Sequence, residues 1–423
     1  MAGMFSRKES KFMRLVLRQR LLKQSSCLLS LLALLACFLA GQDILVIRAG
    51  TVHVGDGRIL KDAFIVTEGG KITFVGKGYP VKKGTDVLDF KDKVLTPGFI
   101  AAAAHINVVE QANEEGSETT PEMNLLYSIN PRAADFETAW RSGVTAVYVA
   151  PGNKNVFNGT GTVLKTRGNS PQDMLIRNQV HLKVVLGREP AAGNTPPSFN
   201  PMDLRVRRPQ NRMGVVFIVR YELTKLQSKS QVPDSGLSPK ELLLRSVLQG
   251  KIPLRIKARS YMDIETAFRL MDEFGYRWIL EDGVDAWRYL DNLKKKNIPV
   301  IYGPVYNLRG RGDFDREDDT YYARTPLLLA EKGIPFAFKN SQLSSISHLR
   351  DEAIYAVEMG LAASRALTAL TLDAAKILGV EDRLGSIEAG KDADILIFDG
   401  DPFEPSSRLY RIVMNGSLMD PHK

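Results

Sequence analysis

From residue 43 to residue 97 apolar and polar positions alternate in short runs, ILVIRAG, AFIVTEGGKITFVG and DVLDFKDKVL, separated by glycine-rich turns. A period of two broken by such turns predicts a β-meander. Beyond residue 98 the pattern changes. Short, continuous apolar runs cover residues 99–105, 144–149, 162–165, 182–186, 252–257, 277–281, 298–302 and 334–338, as expected of strands buried on both faces of a parallel sheet. Helical periodicity separates several of them. It is clearest over 261–274, where Ile264, Ala267, Leu270, Met271 and Phe274 share one face and Gly275 supplies a stop. Eight βα-like units over about 290 residues predict an α/β fold, a (β/α)8 TIM barrel. Residues 393–398 and 409–414 return to strand character and are expected to rejoin the first strands in a small β-sandwich built from both chain ends.

The N-terminal segment alters the meaning of the charge. The chain carries 57 Lys and Arg against 48 Asp and Glu, a formal +9, which invites a nucleic-acid or membrane-surface reading. Seven of those cations and one acid lie in residues 1–41, leaving 50 against 47 over the remainder. Arg7 to Lys23 form a basic region ahead of an apolar run from Cys27 to Ala40, interrupted only by Ser30. Fourteen helical residues span about 21 Å, short of the roughly 30 Å hydrocarbon core, so the pattern predicts an export signal. The protein is then periplasmic or extracellular. A membrane-tethered form is the alternative if the segment stays uncleaved, since no A-x-A site is present. Cys27 and Cys37 both fall in this segment, so a chain beginning near Gln42 has no thiol for a disulfide, a nucleophile or a metal. The basic runs 205–208 and 309–312 lack interleaved aromatic residues and read as surface loops, which argues against nucleic-acid binding.

Five histidines limit the metal chemistry available: His53, His105, His181, His348 and His422. No His-x-His or Glu-x-x-His spacing occurs. His53 falls in the β-rich first segment and His422 in the tail. His181 precedes a strand, and His348 lies in a polar stretch where it is expected to face solvent. His105 ends the first barrel strand. Two readings stay open for it: a structural histidine bonded to a neighbour, or a group that touches a ligand in the barrel mouth.

Two motifs carry a family likeness. Leu95-Thr-Pro-Gly-Phe-Ile100 closes the first β region, and Gly385-Ser-Ile-Glu-Ala-Gly-Lys-Asp-Ala-Asp394 opens the last. Together they resemble the paired signatures of the amidohydrolase superfamily, in its imidazolonepropionase-like branch. The likeness runs from about Asp43 to Met419 and includes residues 143–168. It implies a (β/α)8 barrel with a β-sandwich from both chain ends, and one or two divalent metals that activate water for hydrolysis of amide or cyclic amide bonds. It also implies a ligand set that this chain largely lacks. Where the first strand carries His-x-His, the chain reads Ala101-Ala-Ala-Ala-His105, so Ala103 replaces one imidazole and only His105 remains. Lys257 and Arg259 stand where the fifth strand offers histidines. Asp282 replaces the histidine of the sixth-strand Leu-Glu-His-Gly. On the eighth strand the nearest match to the aspartate base is Asn340, whose amide cannot accept a proton from water. Lys165 is a second-line candidate for the bridging, carboxylated lysine of some members, as Arg259 is for the fifth strand.

Two function classes follow. In one, the chain is an exported, metal-free pseudoenzyme that acts as a binding module for an unknown small molecule or as the inactive partner of an active relative, with no cofactor. In the other, it is an atypical metal-dependent hydrolase of non-peptide C–N bonds, with one divalent ion such as zinc on His105 and Asp282. The expected organisation is an export signal over 1–41, β-sandwich over 42–97, barrel over 98–384 and β-sandwich again over 385–423. Membrane contact is expected only through the N-terminal segment. If the metal is gone, the Lys257 ammonium and Asp282 carboxylate at the ends of neighbouring strands are expected to pair in its place. The alternative has Lys257 reaching out to solvent while Asp282 caps the following turn.

Overall fold

A computed structural model describes residues 44–104, 106, 113–194, 207–305, 322–339 and 346–423. Seventeen strands follow in chain order among these residues: β1 (Ile44–His53), β2 (Ile59–Glu68), β3 (Lys71–Gly76), β4 (Val87–Pro97), β5 (Phe99–Ala104), β6 (Val144–Val149), β7 (Phe157–Thr160), β8 (Thr162–Lys165), β9 (Leu175–Arg177), β10 (Leu182–Val185), β11 (Leu254–Ala258), β12 (Trp278–Asp282), β13 (Val300–Tyr302), β14 (Phe336–Phe338), β15 (Ile395–Phe398), β16 (Leu409–Met414) and β17 (Ser417–Met419).

Both chain ends share one sheet. Its order is β17-β16-β15-β4-β1-β2-β3, with the C-terminal strands joined to the first segment through the antiparallel pair β4 and β15. The expected meander holds for β1 to β3, but β4 returns parallel to β1. The expected sandwich is one curled sheet: at the β3 edge the Ile72 amide donates to Lys391 and the Gly390 amide donates to Ile72. Curling lets alternating residues of β1 to β4, β15 and β16, including Ile47, Ile65, Ile72, Leu95, Ile395 and Val413, bury one common apolar face.

The strands expected to form the barrel lie in two further sheets, β5-β6-β8-β9 and β14-β13-β12-β11-β10-β7. Parallel pairing joins β10 through β14 and joins β5 to β6. The third expected strand differs, because β8 runs antiparallel to β6. Parallel strands need a crossover of a dozen or more residues, and residues 150–156 are too few, so the chain doubles back. Gly161 then divides the returning strand. Its first half, β7, pairs antiparallel with β10, and its second half, β8, pairs with β6. A Cβ at Gly161 would lie 2.3 Å from the Tyr148 hydroxyl, so only glycine allows this approach. β14 packs beside β5, although no ladder joins them among the described residues.

The helix expected over 261–274 forms at Tyr261–Phe274, capped by Ser260 and stopped by Gly275 in the left-handed conformation. Its apolar stripe packs on the outward residues Leu254, Ile256 and Ala258 of β11. Alternation then fixes what faces inward, which are Arg255 and Lys257.

Candidate functional site

Period two makes the inward face of the six-stranded sheet ionic. Along β10, Lys183 alternates with the outward Leu182 and Val184; on β12, Glu281 follows the outward Leu280; after β14, Lys339 follows the outward Phe338. Asp282 should point the other way from Glu281. It does not, because its φ of 74° lies in the left-handed region, which aspartate tolerates better than most residues, and its carboxylate turns back beside that of Glu281.

The groups converge tightly. The Lys257 Nζ stands 3.2 Å from Asp282 Oδ2, so the expected pair forms and the capping alternative does not. The Lys339 ammonium bonds the other oxygen, Asp282 Oδ1, and lies 3.5 Å from Glu281 Oε1. Arg255 holds Glu281 Oε2 through Nε, reaches the Ala102 carbonyl of β5 at 2.8 Å, and lies 4.0 Å from the centre of the Tyr148 ring. Glu189, at the rim, holds Lys257 from outside. Lys183 donates to the Pro151 carbonyl at 2.7 Å. Arg255, Lys257, Lys339, Lys183, Glu281 and Asp282 are all at least 95% buried.

Burial alone would neutralise such groups. For Asp282 it is outweighed by Lys257 and Lys339, which hold the carboxyl well below its usual range. Glu281 is likewise held down, by Arg255 and Lys339 against burial. Lys257 is held protonated, since the carboxylates of Asp282 and Glu189 outweigh its desolvation. Lys183 is the exception. Burial, abetted by the nearby Lys257 and Arg255 charges, lowers it to about 8 despite the opposing field of Glu281.

Other sequence candidates fare differently. Ala103 lies buried at the end of β5 among Ile100, Ala102 and Tyr148 and offers no ligand atom. His105 and Asn340 lie outside the described residues. Arg259 stands close enough to lower the Asp282 pKa, but as a cation it repels a metal. Lys165 is at the wrong end. Because β8 runs antiparallel, Lys165 pairs in register with Ala146 near the start of β6, where Asp394 at 2.5 Å and Asp392 at 3.1 Å hold it. His181 is buried before β10 with its ring 5.6 Å from Tyr148, and burial and Arg255 hold it neutral. His53 is partly buried at the end of β1, His348 is exposed beside Asp351, and His422 bonds the Leu409 carbonyl, so none joins the interior.

Sequence reading missed Lys183, Arg255, Glu281, Lys339 and Glu189. The signal for the first four was present: charged residues at alternate positions in otherwise apolar strands. The described donors do not fit a divalent cation. Each of the four carboxylate oxygens of Glu281 and Asp282 faces a covalently held cation, and an incoming ion would meet Lys257, Lys339, Arg255 and Arg259 at close range. Among the described residues no group of three or more His, Cys, Asp or Glu is arranged to hold a metal.

Comparison with known proteins agrees with the architecture. The family model for the amidohydrolase family matches residues 327–418. An amidohydrolase from Thermotoga maritima MSB8 superposes with a TM-score of 0.79 at 29% identity, covering 88% of this chain and 99% of that one. The chain belongs to the amidohydrolase superfamily. Within it, the imidazolonepropionase-like branch is supported by 54% identity over 122 residues to the imidazolonepropionase of Shewanella sp. (strain W3-18-1), 27% of this chain and 29% of that protein. The amidohydrolase tasK of Hapsidospora irregularis is 22% identical over 401 residues, 84% of this chain. The chain spans well under half the length of these two relatives, 39% of tasK and 29% of the imidazolonepropionase.

Proposed function

We propose that this protein is an exported amidohydrolase-like pseudoenzyme, whose own lysines and arginine occupy the position of a catalytic metal and which binds a ligand or an active relative instead of hydrolysing a substrate. One observation carries the reading: both oxygens of Asp282 are engaged by ammonium groups, Lys257 at 3.2 Å and Lys339 on the other side. A metal ligand needs a lone pair free to coordinate, and a bound water acidified by the ion needs an open position. Here those lone pairs accept hydrogen bonds from fixed cations. The two sheets are read as one (β/α)8 barrel, bridged by β7 and β8 and closed where β14 packs beside β5. Residues 1–41 are read as the export signal, and among the described residues no helix is long and apolar enough to cross a membrane.

Elemental analysis of protein purified without chelator tests the central claim. The expected content is well below one equivalent of Zn, Mn, Fe or Ni. A stoichiometric transition metal that disappears in His105→Ala overturns the proposal in favour of the atypical hydrolase. Cell fractionation checks the address: full-length chain, residues 1–41 included, found soluble in the cytoplasm would refute export.

A further inference from the structure

A cavity of about 880 Å³ opens beside the rim of the ionic centre, between the turn that ends β10 and the start of the helix Arg212–Ser228. Its size suits a small organic ligand, for which pockets of about 300–1,000 Å³ are usual. The turn is held open by its backbone. Gly187 has a φ of 89°, and a Cβ there would lie 2.7 Å from an Asp263 carboxylate oxygen, so the chain turns sharply and presents Arg188 and Glu189 to the cavity.

The lining has a definite chemistry. Lys154, Arg188 and Arg212 face Glu189, and Ala192 and Met213 supply apolar wall. Much of the negative charge is already committed. Glu189 turns Oε1 to Lys257, and Arg212 shares Asp263 at 3.1 Å. Among the described residues Arg188 has no ion pair, and the Lys154 ammonium bonds only the Ala192 carbonyl, at 3.3 Å. Positive charge is therefore in excess around a largely apolar hollow. The second Glu189 oxygen, Oε2, is buried, so it adds no exposed negative charge to the hollow.

We propose that this cavity binds a small organic anion with an apolar body, its carboxylate or sulfonate held by Lys154 and Arg188 and its apolar part seated against Ala192 and Met213. The inference extends the binding-module reading and fails separately from it, since metal content tests the centre and anion binding tests the cavity. The probe is 8-anilinonaphthalene-1-sulfonate, an apolar anion with one N–H, followed by its fluorescence on titration into the purified chain. The expected result is saturable, single-site binding. The paired substitution Lys154→Gln with Arg188→Gln weakens it at least about tenfold, as loss of charge-assisted bonds requires. Ala192→Trp, an exposed position that tolerates bulk, fills the hollow and removes the site. The uncharged analogue N-phenyl-1-naphthylamine binds about tenfold more weakly. No saturable binding overturns the proposal. So does binding unchanged by both variants, which would place the dye on the exposed ridge of Phe217 and Tyr221, outside the cavity. Equal affinity for the uncharged analogue refutes the anion requirement.

Discussion

Two buried ion clusters lie on different strands, one at the β8 end near the C-terminal motif and one at the ends of β11, β12 and β14. At the base, Lys165 from β8 lies between Asp392 and Asp394, with Lys71 and Arg383 completing Asp392 from the solvent side at 2.5 and 2.8 Å. At the mouth, Arg255, Lys257 and Lys339 surround Glu281 and Asp282, all buried, with only Glu189 on Lys257 reaching the solvent side. The basal cluster joins segments remote in sequence and pins the C-terminal motif to β8, a mechanical task that hydrophobic packing could share. The ion pairs of the upper cluster join strands of one sheet already held by backbone ladders, so connection is not their main contribution. It fills a polar interior that would otherwise hold unpaired carboxylates. Similar chemistry therefore serves assembly at one end and charge neutralisation at the other, and the family motif marks only the first.

Removing one partner should separate the two roles most sharply. Asp282→Ala leaves the Lys257 and Lys339 ammoniums buried against each other, and breaking such a group should cost about 3–5 kcal/mol. Urea denaturation measures it as a lower midpoint with unchanged slope. A loss within about 1 kcal/mol would reduce the pair to a local cap and remove the contrast. At the base, Lys165→Met leaves Asp392 its two other cations but leaves Asp394 only the Asn415 amide, so about 3 kcal/mol is expected.

The difference between the clusters also explains what could be read from the chain. The basal carboxylates stand inside Gly385–Asp394, a contiguous motif, and the strands around them announce themselves by apolar runs. Seven of the eight expected barrel strands run parallel, and the helix at Tyr261–Phe274 matches its pattern end to end. The eighth, at residues 162–165, has the right composition, but strand direction depends on the length of the preceding connection and on Gly161, not on local hydrophobicity. The upper site was half legible. Lys257 with Asp282 follows from neighbouring strand ends, whereas Asn340 was chosen over Lys339 by likeness to a family position one residue further on. Alternation would have favoured Lys339, two residues from the inward Ala337. The convergence of Glu281 with Asp282 required a positive φ that no pattern of residue types reveals.

Titration draws the comparison along a different axis. Burial lowers Lys183 from 10.5 to about 8. Below pH 8 it is protonated in the folded and unfolded chain alike, and the cost of a buried charge is fully present, about 3 kcal/mol for a shift of this size. Between pH 8 and 10.5 the unfolded chain still holds the proton that the folded chain has released, so stability rises with pH in that window. Lys183→Met should lose the rise, and a difference between wild type and variant that stays flat from pH 7.5 to 10.5 would contradict it. The base responds at the acid end. Asp392 is lowered to about 2, because Lys165, Lys71 and Arg383 outweigh its burial. Its stabilisation is present above its ordinary value of 3.8 and is lost as pH falls through 2.

The smallest effect is the most discriminating, because it sets two lysines on one carboxylate against each other. Lys71 approaches Asp392 to 2.5 Å, closer than Lys165 at 3.1 Å, so distance alone would rank Lys71 the stronger partner. Exposure reverses the order. The Lys71 side chain is 45% exposed and that of Lys165 only 4%, so water and salt screen the first pair while the second is enclosed. If Lys71 is replaced, Asp392 keeps Lys165 and Arg383, and water reaches the vacated position. Lys71→Met should therefore cost less than about 1 kcal/mol, the range of exposed pairs, and the deficit should shrink further in 1 M salt. Lys165→Met should show no comparable salt dependence. Equal losses for the two substitutions, each insensitive to salt, would mean that contact distance and not burial governs this cluster, and the basal and upper sites would then differ only in which strands they join.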